Sequence, residues 1–271
     1  MCLILFAYKI HPVFNLVLAA NRDEFYNRAT RPLGFWSDRE HLLAGRDLRG
    51  GGTWLGVTRS GRFAAITNYR DPASLKDKAP SRGLLLSAFL SSAMPAGEFL
   101  NEIRVDGPLF NGFNLLVGDA EGLYYYSNRG NGVVKLPPGL YGLSNHLLDT
   151  AWPKVERGKQ KLELLLRKER DIQPESLFQL LHDRTAPLPE QLPDTGIGPR
   201  WEKRLGPLFI VSGNYGTRSS SVLLMSSSGR ISVSERTFHP ARIGISTTST
   251  RMFHFSVNGG RGGSRTALAG S

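Results

Sequence analysis

Two apolar runs near the start of the chain, residues 3–8 and 14–20, most constrain its fold. The pair His11-Pro12 separates them, and apolar runs of this length around a turn predict the two strands of a β-hairpin. If the turn is centred on that pair, opposed residue numbers sum to 23, which places Cys2 across from Asn21. Antiparallel partners have Cβ atoms about 4.5–5.5 Å apart. The hairpin therefore brings Cys2, the single cysteine, beside the end of the second strand.

Polar residues follow that second strand: Asn21, Arg22, Asp23 and Glu24. An arginine near a thiolate lowers the thiol pKa, and a carboxylate can hold or orient an amine. If Met1 is removed, Cys2 carries a free α-amino group with a pKa of about 7.7–8.0, suited to take the proton of the thiol. Two plainer interpretations stay open: Cys2 is an incidental residue of a first strand, and Arg22 and Asp23 form an ordinary surface ion pair.

The remaining pattern alternates sheet and helix and is compatible with an α+β protein. We find no internal repeat and no interdomain linker, so we predict one domain over residues 1–256 and a flexible Gly/Arg-rich tail over 257–271. Residues 187–207, rich in proline and glycine, predict a long loop. The predicted strands are 54–58, 62–67, 113–118, 123–127, 140–144, 221–225 and 231–235, and the predicted helices are 82–93, 152–167 and 174–182.

Composition excludes several classes of site and of protein. One cysteine in 271 residues excludes an intramolecular disulfide and fits a reducing compartment. Because the chain starts without a secretory leader and has no apolar run near the ~20 residues of a membrane span, we predict a soluble, cytoplasmic protein. The six histidines show no metal-ligand spacing. A net charge of +11 is concentrated after residue 200 but is scattered, without a nucleic-acid-binding motif, so we predict no nucleic-acid partner.

Seven short blocks carry a resemblance to a known family. They run in order from residue 1 to about residue 240, and together they are far more specific than any one alone. The chain resembles the transport and Golgi organization protein 2 family, also called NRDE proteins. The blocks are MC at 1–2, AANRDEFY at 19–26, GGTWLG at 51–56, TNY at 67–69, NGFNL at 111–115, YGLSN at 141–145 and YGTRS at 215–219.

The resemblance implies a fold and a set of roles. The family looks like amino-terminal nucleophile hydrolases, which are four-layer αββα sandwiches of two antiparallel sheets between helix layers. That class includes conjugated bile acid hydrolases, penicillin V acylases and acid ceramidases, which cleave amides with a terminal cysteine. By resemblance the catalytic residues are the nucleophile, an arginine–aspartate pair, an oxyanion donor and a late arginine: Cys2, Arg22, Asp23, Asn145 and Arg218.

Three further residues are assigned to substrate binding: Asn21, Asn68 and His146. Asn68 could instead be a turn residue, because Asn68-Tyr69-Arg70-Asp71-Pro72 is good turn chemistry. His146 could equally have a structural role.

Two functions from different classes follow from the resemblance. The first is a cysteine amidohydrolase acting on a small non-peptide amide or acyl compound, with no required cofactor. The second is a non-catalytic carrier of haem, or of lipid or acyl-coenzyme A, because the family has been linked to haem trafficking and lipid homeostasis. A haem carrier would need Cys2 or a histidine as axial ligand, and the sequence has no CxxCH attachment motif.

Overall fold

The computed structural model describes residues 2–240 and 245–257. Within these ranges the helices are α1 (Gly83–Ser91), α2 (Ala96–Asp106), α3 (Pro153–Lys168), α4 (Pro174–Leu181) and α5 (Pro199–Leu205). The strands are β1 (Cys2–Tyr8), β2 (Phe14–Phe25), β3 (Thr30–Trp36), β4 (Arg39–Asp47), β5 (Leu55–Thr58), β6 (Phe63–Asn68), β7 (Phe113–Asp119), β8 (Gly122–Ser127), β9 (Val134–Lys135), β10 (Gly139–Leu143), β11 (Val211–Ser212), β12 (Tyr215–Ser226), β13 (Arg230–Pro240) and β14 (Ile245–Ser256).

These strands form two seven-stranded antiparallel sheets. Sheet A has the order β10-β1-β2-β12-β13-β14, with β11 paired to β12, and sheet B runs β3-β4-β5-β6-β7-β8-β9 in chain order. Sheet B follows chain order because successive strands return as hairpins or after the α1–α2 excursion. Sheet A instead joins the first two strands to strands from the second half of the chain.

Alternating apolar residues on each sheet build three apolar cores between four layers. On β1, Ile4 and Phe6 belong to the core between the two sheets, whereas Leu3 and Leu5 pack on the side of α3 and α4. Sheet B packs its outer face on α1 and α2, around residues such as Phe89. The order helix, sheet, sheet, helix confirms the predicted αββα sandwich.

The front hairpin is confirmed, but its predicted register is wrong by one residue. Cys2 pairs with Arg22, and Leu3 rather than Cys2 pairs with Asn21. The turn is centred on Pro12, because the ring nitrogen Nδ1 of His11 accepts hydrogen bonds from two backbone N–H groups beyond it, at 3.2 and 3.3 Å. A shift of one residue moves a side chain to the other face of the sheet.

Part of the predicted long loop is helical. Within residues 187–207, α5 starts with Pro199 in its first turn, a favoured position for proline. Leu205 and Trp201 then pack against Ile210 and Tyr215, which supplies the apolar contact that a short helix needs. The prediction of an irregular segment was therefore wrong for this stretch.

No helix in residues 2–240 and 245–257 is long and apolar enough to cross a membrane.

Deletion of residues 259–271 is expected to leave the melting temperature nearly unchanged. This glycine- and arginine-rich end, part of the predicted tail over 257–271, has little apolar surface to bury, and residues 258–271 lie outside the described ranges. Thermal unfolding of the truncated and full chains measures the effect. A loss of several degrees would mean that the segment packs against the domain.

Candidate functional site

A cleft of about 350 Å³ opens at the end of the hairpin, between the two sheets. Three of the predicted site residues lie in its wall: Arg22 and Asp23 of β2, and Asn68 at the end of β6. Trp54 and the first residue of α1, Gly83, complete the part of the wall that comes from sheet B and its helix layer. The strands thus collect residues that are far apart in the chain into one polar cleft.

Cys2 begins β1, the neighbour of β2 in sheet A. Its Cα atom pairs with that of Arg22 on β2. On the other side, β10 pairs with β1 through Leu143 and Ile4, so Asn145 leaves the sheet beside the start of β1. The backbone therefore brings the predicted nucleophile between the predicted arginine and the predicted oxyanion donor.

Arg22 is held by an aromatic ring and a carboxylate. Its guanidinium carbon lies 4.3 Å from the ring centroid of Trp54, and its Nη2 lies 3.8 Å from Oε2 of Glu24. A guanidinium over an indole face is attracted by the ring quadrupole. Only 7% of Arg22 is exposed, so this stack fixes a positive charge in the wall of the cleft.

Asp23 is almost fully buried. The hydroxyl of Thr217 donates to its Oδ1 at 2.7 Å, and the hydroxyl of Tyr215 donates to its backbone carbonyl at 3.2 Å. Burial raises the pKa of Asp23, and the charges of Lys154 and Arg22 act against that rise. Sequence reasoning missed Thr217 and Tyr215, although both belong to the block at 215–219 that carried the resemblance.

Asn145 ties the two sheets together behind the cleft. Its Nδ2 donates to the carbonyl of Asn68 at 2.9 Å, and its own carbonyl accepts the backbone N–H of Arg70 at 2.7 Å. A primary amide carries two N–H groups. One of them makes the bond to Asn68, and the whole residue is buried.

Arg70 is part of a buried contact that sequence reasoning missed. Its Nη1 donates to Glu202 of α5, and its guanidinium lies 4.8 Å from the ring centroid of Trp152. Glu202 also accepts the backbone N–H of Thr195 at 3.0 Å. The ion pair fastens α5 to the segment that follows Asn68, and no local pattern could indicate it because the two charges are 132 residues apart.

Asn21 lies outside the cleft, on the helix side of sheet A. Its Nδ2 donates to the carbonyls of Leu181 and Leu208 at 2.9 and 2.8 Å, and its Oδ1 accepts from Ser220 at 2.6 Å. These bonds anchor α4 and a loop to the sheet. The substrate-binding role predicted for Asn21 depended on the incorrect register, so we leave it out of the site.

Arg218 lies at a bulge in β12 and lines a separate cavity, not the cleft. Its Nη1 donates to three backbone carbonyls, those of Phe25, Tyr26 and Arg28, at 2.9–3.1 Å. Burial lowers the pKa of Arg218, and the nearby charge of Arg22 lowers it further. Arg218 thus shares this second cavity with Arg22 but does not line the cleft that holds Asp23 and Asn68.

His146 packs behind the cleft among aromatic rings. Its Nδ1 lies 2.9 Å from Oγ1 of Thr150, and its ring centroid lies 4.8 Å from that of Tyr69 and 5.9 Å from that of Trp152. Burial lowers the pKa of His146. These contacts favour the structural interpretation of this residue.

In the described part of the chain, no three histidine, cysteine, aspartate or glutamate side chains form a group able to hold a metal ion.

Two solved structures resemble this fold at low similarity. One is an N-acylethanolamine-hydrolyzing acid amidase ortholog from Caenorhabditis elegans, with a TM-score of 0.40 and 11% identity over 83% of this chain and 92% of that one. The other is the C2A mutant of a conjugated bile acid hydrolase from Clostridium perfringens, with a TM-score of 0.43 and 11% identity over 95% of this chain and 98% of that one. Both TM-scores are below 0.5, so we base no functional conclusion on them.

Relatives by sequence are much closer. The human Transport and Golgi organization protein 2 homolog is 36% identical over 281 residues, covering 95% of this chain and 99% of the relative. The Mus musculus homolog is 36% identical over 260 residues, covering 87% and 92%, and the Drosophila melanogaster protein is 29% identical over 266 residues, covering 88% and 92%. The family model described as Transport and Golgi organisation 2 matches residues 1–240. The chain belongs to the Transport and Golgi organisation 2 family.

Proposed function

We propose that the chain is a cysteine amidohydrolase that acts on a small non-peptide amide or related acyl compound, with Cys2 as the nucleophile. One observation carries the proposal: Cys2 starts β1 directly opposite Arg22, and Arg22 lies in the wall of a polar cleft. A guanidinium near a cysteine favours the thiolate form of that cysteine. Asp23 and Asn68 in the same wall, and Asn145 behind it, supply the remaining polar groups.

The reaction needs no cofactor. Once Met1 is removed, the α-amino group of Cys2 takes the proton of the thiol, and Asp23 orients this amine. The thiolate attacks the carbonyl carbon, and the second N–H of Asn145 stabilises the oxyanion, a contribution of about 2.7–4 kcal/mol for such a donor. The carbon–nitrogen bond breaks as the amine leaves with the proton. Water then attacks the thioester, which releases the acid and restores the thiol.

The lining of the cleft argues against haem as the ligand. Charged residues dominate it: Arg22, Asp23, Glu24, Arg28, Asp47, Arg49 and Arg82. The two apolar faces of a porphyrin would remove these groups from water, and only its propionates would accept hydrogen bonds from the arginines. A carrier function is the alternative outcome in the experiment with Cys2→Ala and Asn145→Ala.

The first experiment measures the state of Cys2. Intact mass should show that Met1 is absent, and alkylation with iodoacetamide should titrate with a pKa below about 8.5, the value of a free thiol. Because the chain has one cysteine, all alkylation reports on Cys2. Retention of Met1, or a thiol pKa at or above the free value, contradicts the proposed nucleophile.

The second experiment separates hydrolase from carrier with Cys2→Ala and Asn145→Ala, tested on a panel of acyl amides and by haem titration. In a hydrolase, Cys2→Ala abolishes product release, Asn145→Ala lowers kcat by about 10²–10³, and neither greatly weakens ligand binding. In a haem carrier, only Cys2→Ala shifts the Soret band. Asn128→Ala is the control, because the amide of Asn128 bonds to backbone groups of Gly107 and Phe113 and does not line the cleft.

A further inference from the structure

A second cavity of about 150 Å³ lies beside the cleft and shares two of its wall residues, Arg22 and Trp54. It is bounded on one side by the start of β3 and on the other by β12, β13 and β14 of sheet A. Nothing in the proposed reaction uses this space.

The sheet-A wall of the second cavity is a row of polar residues in register. Ser219 of β12 pairs with Arg22 of β2 and with Thr237 of β13, and Thr237 pairs in turn with Ser249 of β14. The hydroxyl groups of Thr237 and Ser249 lie 2.9 Å apart. Elsewhere this face of sheet A carries the apolar core between the sheets, so the row is a local change to hydrogen-bonding groups.

Charge in this cavity is unbalanced. Arg22, Arg218 and Glu235 in its wall are each more than nine-tenths buried, and Arg31 is exposed at its mouth. Among the residues in the described ranges, no carboxylate lies within 4 Å of the Arg218 guanidinium. Glu235 is the one carboxylate among the lining residues, and its Oε1 accepts the backbone N–H of Leu33 at 2.7 Å. Among the lining residues, three arginines thus face one carboxylate, and the only carboxylate within 4 Å of them in the described ranges is Glu24, 3.8 Å from Arg22.

Burying like charges together is unfavourable. Burial lowers the pKa of Arg218, and the charge of Arg22 lowers it further because the two guanidinium groups repel each other. Burial also raises the pKa of Glu235. An anion placed between these groups would relieve the repulsion, and buried charges are stabilised when they are paired.

We propose that this second cavity binds a small oxyanion of carboxylate or sulfate type. The planar fork of an arginine matches two oxygens of such a group, and the hydroxyl row supplies further donors. The volume fits: at about 30 Å³ for each water, 150 Å³ holds about five waters, or one anion of that size. The oxyanion has two possible sources. It is a free anion, or it is the charged end of a substrate in the cleft, which the cavity adjoins through Arg22.

The test is isothermal titration of the full chain with sodium sulfate and with sodium acetate at constant ionic strength. Glu235→Gln should tighten binding about tenfold, because it removes a repelling charge while its amide oxygen still accepts from Leu33. Arg31→Gln should weaken binding several-fold. Arg236→Gln is the matched control: it neighbours Glu235 on β13 but pairs with Glu175 instead of lining the cavity, so affinity should not change.

No binding of either anion, or the same affinity in all four proteins, overturns the proposal. An unchanged or weaker affinity in Glu235→Gln also overturns it. The source of the oxyanion is read from alkylation of Cys2. If sulfate slows anionic iodoacetate but not neutral iodoacetamide, the cavity takes the charged end of the substrate. If it slows neither reagent although sulfate binds, the cavity holds a separate anion.

Discussion

Glu202→Ala is expected to lower the free energy of unfolding by about 3–5 kcal/mol, because it leaves a buried guanidinium without its carboxylate. The side chains of Arg70 and Glu202 are each only 4% exposed. Burial lowers the pKa of Arg70, and the carboxylate of Glu202 opposes that change. Removing the carboxylate therefore takes the Glu202 charge away from a guanidinium that is buried from water. Urea unfolding of both proteins measures the difference.

A second Arg–Glu pair provides the control. Nη2 of Arg236 lies 2.7 Å from Oε2 of Glu175, but the side chain of Glu175 is 58% exposed, so Glu175→Ala should cost about 0–1 kcal/mol. The double variant Arg70→Met with Glu202→Leu should recover most of the lost stability, since it removes both buried charges. A loss below about 1 kcal/mol in Glu202→Ala would show that Arg70 reaches water without its partner.

Gly52→Ala is expected to cost about 3 kcal/mol of unfolding free energy, the upper end of what overpacking causes. A Cβ atom on Gly52 would lie 2.2 Å from the carbonyl carbon of Gly83 and 2.6 Å from the backbone nitrogen of Leu84. These are backbone atoms at the start of α1, which cannot turn aside as a side chain could. Because Gly83 lines the cleft, the same substitution should also change the shape of the site.

Gly34→Ala is the matched control for that substitution. A Cβ atom on Gly34 would have its nearest neighbour at 3.7 Å, an ordinary contact distance. Alanine there should leave stability unchanged or slightly higher, because glycine loses more backbone entropy on folding. Equal unfolding curves for Gly52→Ala and the parent chain would mean that the α1 start moves freely.

The front hairpin could be predicted because its two apolar runs and its turn are local features. Its register could not, because the turn centre depends on two hydrogen bonds accepted by the ring of His11. The neighbourhood of Cys2 and Arg22 was nevertheless correct, since both registers bring the thiol residue to the end of β2. The observed register places Asn21 on the helix side of sheet A instead of the side that faces sheet B.

Other elements depend on contacts that a local pattern does not contain. The strand β3 includes Pro32 and Gly34 and has two register shifts, so it lacks the simple alternation of a strand. Strand β14 is rich in serine and threonine and is held at the sheet edge by pairing with β13. In the site, Arg22 contacts Trp54 across the two sheets. This contact depends on how the sheets pack, so the sequence pattern alone could not predict it.

The positions of the strands along the chain set the order in which the two sheets can form during synthesis. All seven strands of sheet B come from one continuous stretch, Thr30 to Lys135. Strand β2 in sheet A, by contrast, pairs with β12, which starts at Tyr215. The ribosome must therefore deliver more than three-quarters of the chain before Arg22 and Asp23 gain their neighbours on β12. Until then the front hairpin keeps an open edge, which makes premature pairing with another chain the main hazard for the nascent protein.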